Sequence, residues 1–533
     1  MKLFKEISNR LLSIALVSSL IITGTSCSDD DTNSGTSNLW DIPGNTVVSI
    51  KPERYKLQRN PLQGWVIYGG IGDGMMMNFW DLYDNFESSE GQVRVADYGT
   101  TIYIRGAWSD FNPEEGVYIW QDGVDTKPAQ RFRMLVNGAK ERGLKLAFTF
   151  VTDSRDKHYN FTPEYVKEAG AQGFETTTGS VKVWSPYPDD PVFQEKYEQF
   201  LTDFAAKYNN PDEVQFVSGF GLGKWGETHT LKYSTGDDTP RYAVTEWISS
   251  LMARLFTKVP IVINYHRCIM SGKEYDNSGL EESENLINLC VNKGFSLRHD
   301  AFGMKTYYSN WERGYAATQR FNRPFIMEGG WVESSHGGSI KGDGYANFAE
   351  VRQGEFDEAK GANVNMMDLR FDSNVNSGET HSWFNTAFNL VKKFIAEGGY
   401  RLYPDKVSVP ISVTTGGKVS ITHRWSNLGW GYCPTNIPQW NQKYKVAFAL
   451  LDKTTEQPVY TFVNEEPRLC DWVHGSPKTY NYQFSLTGVN SGEYIWAVGL
   501  VDTTKDNAIG IEISAKDGLT DEGWLKLTDV TVR

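Results

Sequence analysis

The chain is predicted to be an α/β protein, a (β/α)8 TIM barrel followed by a C-terminal antiparallel β-sandwich. Three observations predict it. Eight short β-branched or aromatic runs alternate with longer segments between positions 46 and 400. Those longer segments carry apolar residues at helical spacing. Beyond Tyr400 the alternation gives way to short strands separated by Gly-Gly, Asn-Ser-Gly and similar turn signals.

The N-terminus comes before any of this. Lys2, Lys5 and Arg10 precede an uncharged apolar run, 11–22, and then Gly24-Thr25-Ser26-Cys27. Positive charge, a short apolar run and small residues in that order form a secretory signal. The run is too short to span a bilayer as a helix. Cys27 after small residues resembles a bacterial lipobox, which implies lipidation of Cys27 and a signal peptide covering 1–27. The acidic tract Ser28-Asp29-Asp30-Asp31 is similar to the surface-export signals of glycan-degrading Gram-negative gut bacteria. That similarity implies an outer-membrane lipoprotein facing the cell surface. Residues 28–45, rich in Ser, Thr, Asn, Asp and Gly, read as a flexible tether.

The barrel is expected over 46–400. Its strands are predicted at 64–68, 101–105, 145–150, 214–219, 261–265, 296–299, 324–327 and 363–369, with helices at 129–142, 191–207, 243–256, 280–293 and 347–360. Eight such units suit a closed barrel with insertions. A doubly wound open sheet is the structural alternative. The sandwich is expected over 401–533, with strands such as 418–423, 444–451, 480–486 and 492–501.

Composition narrows the partners. A net charge of -13 disfavours nucleic acid and anionic membrane, which an acidic field repels. A neutral or weakly charged substrate fits better. The chain holds 17 Trp, 27 Tyr and 28 Phe, rings whose flat apolar faces suit sugar C–H faces. No phosphate-cradling Gly-x-x-x-x-Gly-Lys loop occurs and Gly-x-Ser-x-Gly is absent, so nucleotide hydrolysis and esterase chemistry lose their usual marks, and no cofactor is expected. No metal site is expected either, because Cys and His lack zinc spacing and the segment 372–379 misplaces the glycine of a calcium loop, so it reads as a polar turn. Apart from Cys27, the cysteines are Cys268, Cys290, Cys433 and Cys470. In an oxidising compartment a Cys433–Cys470 bridge is favoured, and Cys268 and Cys290 read equally as a second pair or as buried thiols.

Chemistry in such barrels gathers where the strands end. Two glutamates satisfy this test. Glu227 follows the fourth strand in the Gly-rich run Gly221-Leu222-Gly223-Lys224-Trp225-Gly226-Glu227-Thr228-His229, and Glu328 follows the seventh in Glu328-Gly329-Gly330-Trp331. Glycosidic cleavage needs one carboxylic acid to protonate the leaving oxygen and a second carboxylate to attack the anomeric carbon or activate water. A retaining enzyme holds the two about 5–5.5 Å apart and an inverting one roughly 6.5–9.5 Å apart.

Glutamates at the ends of strands four and seven resemble the acid/base and nucleophile of clan A retaining glycoside hydrolases. The resemblance implies Glu227 as acid/base and Glu328 as nucleophile. The second-strand stretch Arg105-Gly106-Ala107-Trp108, continuing through Pro113, Gly116 and Tyr118, is similar to a β-galactosidase-like barrel motif. There the arginine steadies the nucleophile, which implies that Arg105 lies against Glu328. The run 223–229, with Asn60-Pro61-Leu62-Gln63-Gly64, also resembles the barrel-plus-sandwich family called domain of unknown function 4832.

Substrate-binding candidates are Arg105, Trp108 and His229 from these motifs, Asp153 and Arg155 after the third strand, and Asn264, Tyr265 and His266 after the fifth. His299 and Asp300 after the sixth and Asp368 and Arg370 at the eighth complete the polar set. Trp225 and Trp331 are candidate sugar-stacking platforms. Gly226 stands where most clan A enzymes place asparagine, and this motivates the alternative of a glycan-binding lipoprotein without chemistry. Trp425, Trp430 and Trp440 are the rings through which the sandwich itself could bind glycan.

Overall fold

The computed structural model describes residues 39–330, 344–370 and 378–533. Cys27, Trp331 and the turn at 372–377 lie outside them. All eight predicted runs are strands of one closed parallel barrel: β1 Gly64–Gly70, β2 Gly99–Ala107, β3 Lys145–Val151, β4 Val214–Ser218, β5 Ile261–Asn264, β6 Ser296–Phe302, β7 Phe325–Gly329 and β8 Met366–Asp368. The circle closes through β8 pairing β1 and β4 pairing β5, which excludes an open sheet.

Strand periodicity sorts the side chains onto the two surfaces. On β3, Phe148 and Phe150 pack outward on Phe204 at centroid distances of 5.1 and 4.6 Å. Phe204 belongs to the helix Pro191–Tyr208, whose buried Phe193, Tyr197, Phe200, Leu201 and Phe204 form one face. That helix starts where the sequence says it should: Asp190 accepts the Phe193 N–H at 2.9 Å, and Pro191 follows the cap. Inside the barrel Tyr103 packs on Tyr68 and Phe216, and the Arg298 guanidinium lies 4.6 Å from the Tyr103 ring centroid.

The C-terminal region forms two sheets. One runs Asn45–Ser49, Leu402–Pro410, Lys418–Asn427, Lys478–Ser485; the other Ser412–Val413, Leu525–Val532, Gly492–Asp502, Tyr444–Asp452, Pro458–Asn464, with Ala508–Ile511 also paired to Gly492–Asp502. Phe448 on Tyr482 and Phe462 on Phe484 join the sheets face to face. Asn45–Ser49, expected in the tether and at the start of the barrel, instead pairs antiparallel with Leu402–Pro410. The helix Asn310–Gln319 went unpredicted because it is short and polar, although Ser309 and Glu312 form a capping box at its start.

Two further expectations are corrected. Cys433 and Cys470 are free thiols, as are Cys268 and Cys290; burial pushes the Cys433 thiol well above its ordinary value, and Cys470 sits beside Gln442 and Asp471. Trp425, Trp430 and Trp440 are buried rather than presented to glycan. Trp425 stacks on Trp472, Trp430 packs on Phe356 and Phe394 of the barrel helices, and Trp440 on Tyr444. Among the described residues no helix is long and apolar enough to cross a membrane.

Candidate active site

The chain leaves β4 through a run that doubles back on itself. Gly221 and Gly223 take φ of +73° and +76°, and a Cβ on either would come within 2.6 Å of neighbouring atoms, so larger residues do not fit. Trp225 adopts φ +59° without being glycine. Such a conformation persists only when surroundings hold it. Arg105, from β2, does so: its Nη2 donates to the Trp225 carbonyl at 2.5 Å, and its Nη1 donates to the Tyr68 hydroxyl at 3.1 Å. The Trp225 indole N–H donates to Asp156 Oδ2 at 2.8 Å, and the Lys224 ammonium lies 4.1 Å from the ring centroid.

This turn delivers Glu227. Its side chain is 14% exposed, with Oε1 3.9 Å from Arg105 Nη1 and Oε2 3.5 Å from His229 Nε2. Its carbonyl accepts the His266 Nε2–H at 2.9 Å. A carbonyl only accepts, so Nε2 carries the ring proton and Nδ1 accepts the Cys268 N–H at 3.3 Å. Burial lowers His266 to about 3, which keeps the imidazole neutral.

Glu328 is the last residue but one of β7 and is 2% exposed. Both carboxylate oxygens are taken, Oε2 by Arg298 Nη2 and Oε1 by Arg370 Nη1. Arg298 also bonds Asp300 Oδ1 through Nε at 2.7 Å and lies 3.6 Å from Asp368 Oδ2. Asp368 in turn accepts the Gly329 N–H at 3.2 Å. Burial raises Asp368 to about 8, against the pull of Arg298. For Asp300 burial also works upward, but the Arg298 guanidinium and the Asn264 amide, donating at 2.7 Å, outweigh it and hold it below its ordinary value. Two guanidinium groups, Arg298 and Arg370, thus face three acidic side chains, Glu328, Asp300 and Asp368, in one buried cluster.

Glu227 and Glu328 line one cavity of about 780 Å³ at the C-terminal mouth of the barrel, with Tyr68, Arg105, Trp225, Tyr275 and Arg370 also on its wall. The other sequence candidates fall elsewhere. Arg105 was expected against Glu328 and lies instead against Glu227; Arg298 and Arg370 occupy the expected place. Trp108 is core, ringed by Tyr165, Phe193, Tyr197 and Phe200. Tyr265 and His299 pack on each other and on Tyr308, facing the helices rather than the lumen. Asp153 and Arg155 pair with each other off the cavity. His229, Asn264, His266 and Asp368 are buried beneath it, each bonded to or in contact with a group of the site.

Sequence reasoning missed Arg298, Asp110, Tyr159 and Tyr275. Arg298 lies inside β6, two residues before Asp300, and strand alternation alone puts both on the same face.

No family model matches the chain, so the resemblance to domain of unknown function 4832 gains no support there, and no curated protein matches it. Solved structures do. The endo-glycoceramidase II of Rhodococcus sp. aligns at TM-score 0.38 and 10% identity, over 81% of this chain and 99% of that one. The catalytic domain of a β-amylase from Paenibacillus polymyxa aligns at 0.37 and 11%, over 63% and 99%. A GH30 endoxylanase from Clostridium papyrosolvens aligns at 0.35 and 9%, over 82% and 97%.

Proposed function

We propose that the chain is a retaining glycoside hydrolase in which Glu227 is the acid/base and Glu328 the nucleophile. The observation that supports this is that two glutamates, one following strand four and one near the end of strand seven, line the same sugar-sized cavity. Arg298 and Arg370 present Glu328 as an anion. In the first step its carboxylate attacks the anomeric carbon while protonated Glu227 gives its proton to the departing glycosidic oxygen. In the second, Glu227 takes a proton from water, whose oxygen attacks the anomeric carbon and releases Glu328.

Glu227→Gln and Glu328→Gln each abolish release of reducing sugar from a glycan panel, while circular dichroism stays unchanged. Wild-type turnover in either variant overturns that role. A first-formed product of inverted anomeric configuration, read by NMR, overturns the nucleophile assignment alone.

The engagement of both Glu328 oxygens by arginines also favours a second reading, a non-catalytic glycan-binding protein, since an anion so held is a weaker nucleophile. Glycan binding without any released sugar selects it. Either protein is proposed to sit at the outer membrane, facing outward through lipid on Cys27. Cys27→Ala then moves it from the membrane to the soluble fraction.

A further inference from the structure

We propose that Asp110 and Tyr159 form a hydroxyl-reading subsite in the cavity, selecting an uncharged glycan over carboxylated or sulfated ones. The proposal rests on the glycosidase reading for its setting but is tested by binding.

Asp110 lies on the short helix Trp108–Phe111 that follows β2, and it lines the same cavity as Glu227 and Glu328. It is 8% exposed. One oxygen is fully used: Oδ2 accepts the Ala107 N–H at 3.2 Å and the Tyr159 hydroxyl at 2.8 Å. Among the described residues nothing donates to Oδ1, and no cation pairs with the carboxylate. The neighbouring Arg131 spends Nη1 on the Ile71 and Gly72 carbonyls at 3.2 and 2.8 Å, and lies 3.6 Å from Asp73. The residue is largely buried but Oδ1 is not: it opens to the cavity, where an incoming hydroxyl can donate to it. Burial raises Asp110 to about 6.

The pair is held in place before any ligand arrives. Tyr159 packs on Phe161 at 4.9 Å, and a Cβ on Gly72 would lie 3.0 Å from the Tyr159 hydroxyl oxygen and 3.5 Å from Asp110 Oδ2. Since the Tyr159 proton is committed to Asp110, what remains toward the cavity is acceptor capacity on both side chains. A sugar hydroxyl placed here can donate; a carboxylate or sulfate in the same position cannot.

Charge points the same way. Of the cations on the cavity wall, Arg105 is engaged by Glu227 and the Trp225 carbonyl, Arg370 by Glu328, and Lys157 by Asp156 at 2.8 Å. Among the described residues, no lysine or arginine of the wall is left over to receive an anionic sugar.

The probe is an array of immobilised uncharged, uronate-bearing and sulfated oligosaccharides, read with the full chain. Uncharged glycans are expected to bind. Asp110→Asn, which keeps an acceptor for Ala107, and Tyr159→Phe should each weaken the best-bound one by about 10- to 100-fold, the span expected for a hydrogen bond to a charged group. Asp110→Asn should also shrink the preference for an uncharged glycan over its uronate counterpart, a ratio that loss of fold leaves alone. Tighter binding of uronate or sulfated glycans, unchanged affinity in both variants, or no binding across the array overturns the subsite. Asp110-dependent binding with no sugar released leaves the subsite standing and sinks the hydrolase reading instead.

Discussion

Arg105 Nη1 stands 3.9 Å from Glu227 Oε1, while the same guanidinium bonds the Trp225 carbonyl two residues earlier. One side chain thus holds both the strained turn and the carboxyl that the turn presents. Lysine has a single charged tip and cannot reproduce the fork. Arg105→Lys is therefore expected to lower kcat/KM by about 100-fold, the scale of misplacing a reacting group by an ångström. Steady-state kinetics on the best glycan substrate check this, and an unchanged kcat/KM refutes it.

Arg298 is fully buried and serves Glu328, Asp300 and Asp368 together. Arg298→Met leaves Asp300 buried without its counter-ion and Glu328 with Arg370 alone, at a cost of about 3–5 kcal/mol in urea unfolding. Adding Asp300→Asn removes one of those charges and should restore part of the loss. A double variant no more stable than the single one would show that Asp300 is not what Arg298 compensates.

Trp108 is wholly buried among aromatic rings. Trp108→Ala should cost about 3–5 kcal/mol of stability through the cavity it opens. Glycan affinity of the folded variant should be unchanged. A large affinity loss at unchanged stability would return Trp108 to the binding surface.

His423 lies in the sandwich, where its Nδ1 accepts the Trp425 indole N–H at 2.8 Å and burial lowers it to about 3. A histidine whose folded value lies below its unfolded value of about 6.5 is stabilising as the neutral ring, so stability is lost as pH falls below about 6.5 toward 3. The loss is at most about 1.4 kcal/mol per pH unit. His423→Gln should flatten the fall in urea-unfolding stability between pH 6.5 and 5, and parallel curves for the two proteins would contradict it.

The eight strands were legible because parallel strands covered on both faces leave nearly continuous apolar runs, as in Ile261–Asn264 and Phe325–Gly329. Glu227 and Glu328 were legible as acids at the ends of such runs. The side-chain partners were not. Arg298 sits within a strand, where a reading confined to strand ends does not look. Tyr265 and His299 were misplaced by one step of the two-residue period: Asn264, Arg298 and Asp300 gather at the lumen, and their immediate neighbours turn to the helices. Asp110 comes from the short helix after β2 and Tyr159 from the segment after β3, and only the folded chain shows that they touch.

The strand Asn45–Ser49 has one more effect. Its Asn45 side chain bonds Ser408, 363 residues downstream, so this early segment pairs only with a partner far along the chain. Closing so long a loop costs entropy that only the finished sheet repays. The barrel can therefore assemble while Asn45–Ser49 is still unattached, and the sheet built on Leu402–Pro410 then fastens that strand in place. A chain halted at position 400 would carry a complete ring of eight strands and a ninth with nothing to pair against.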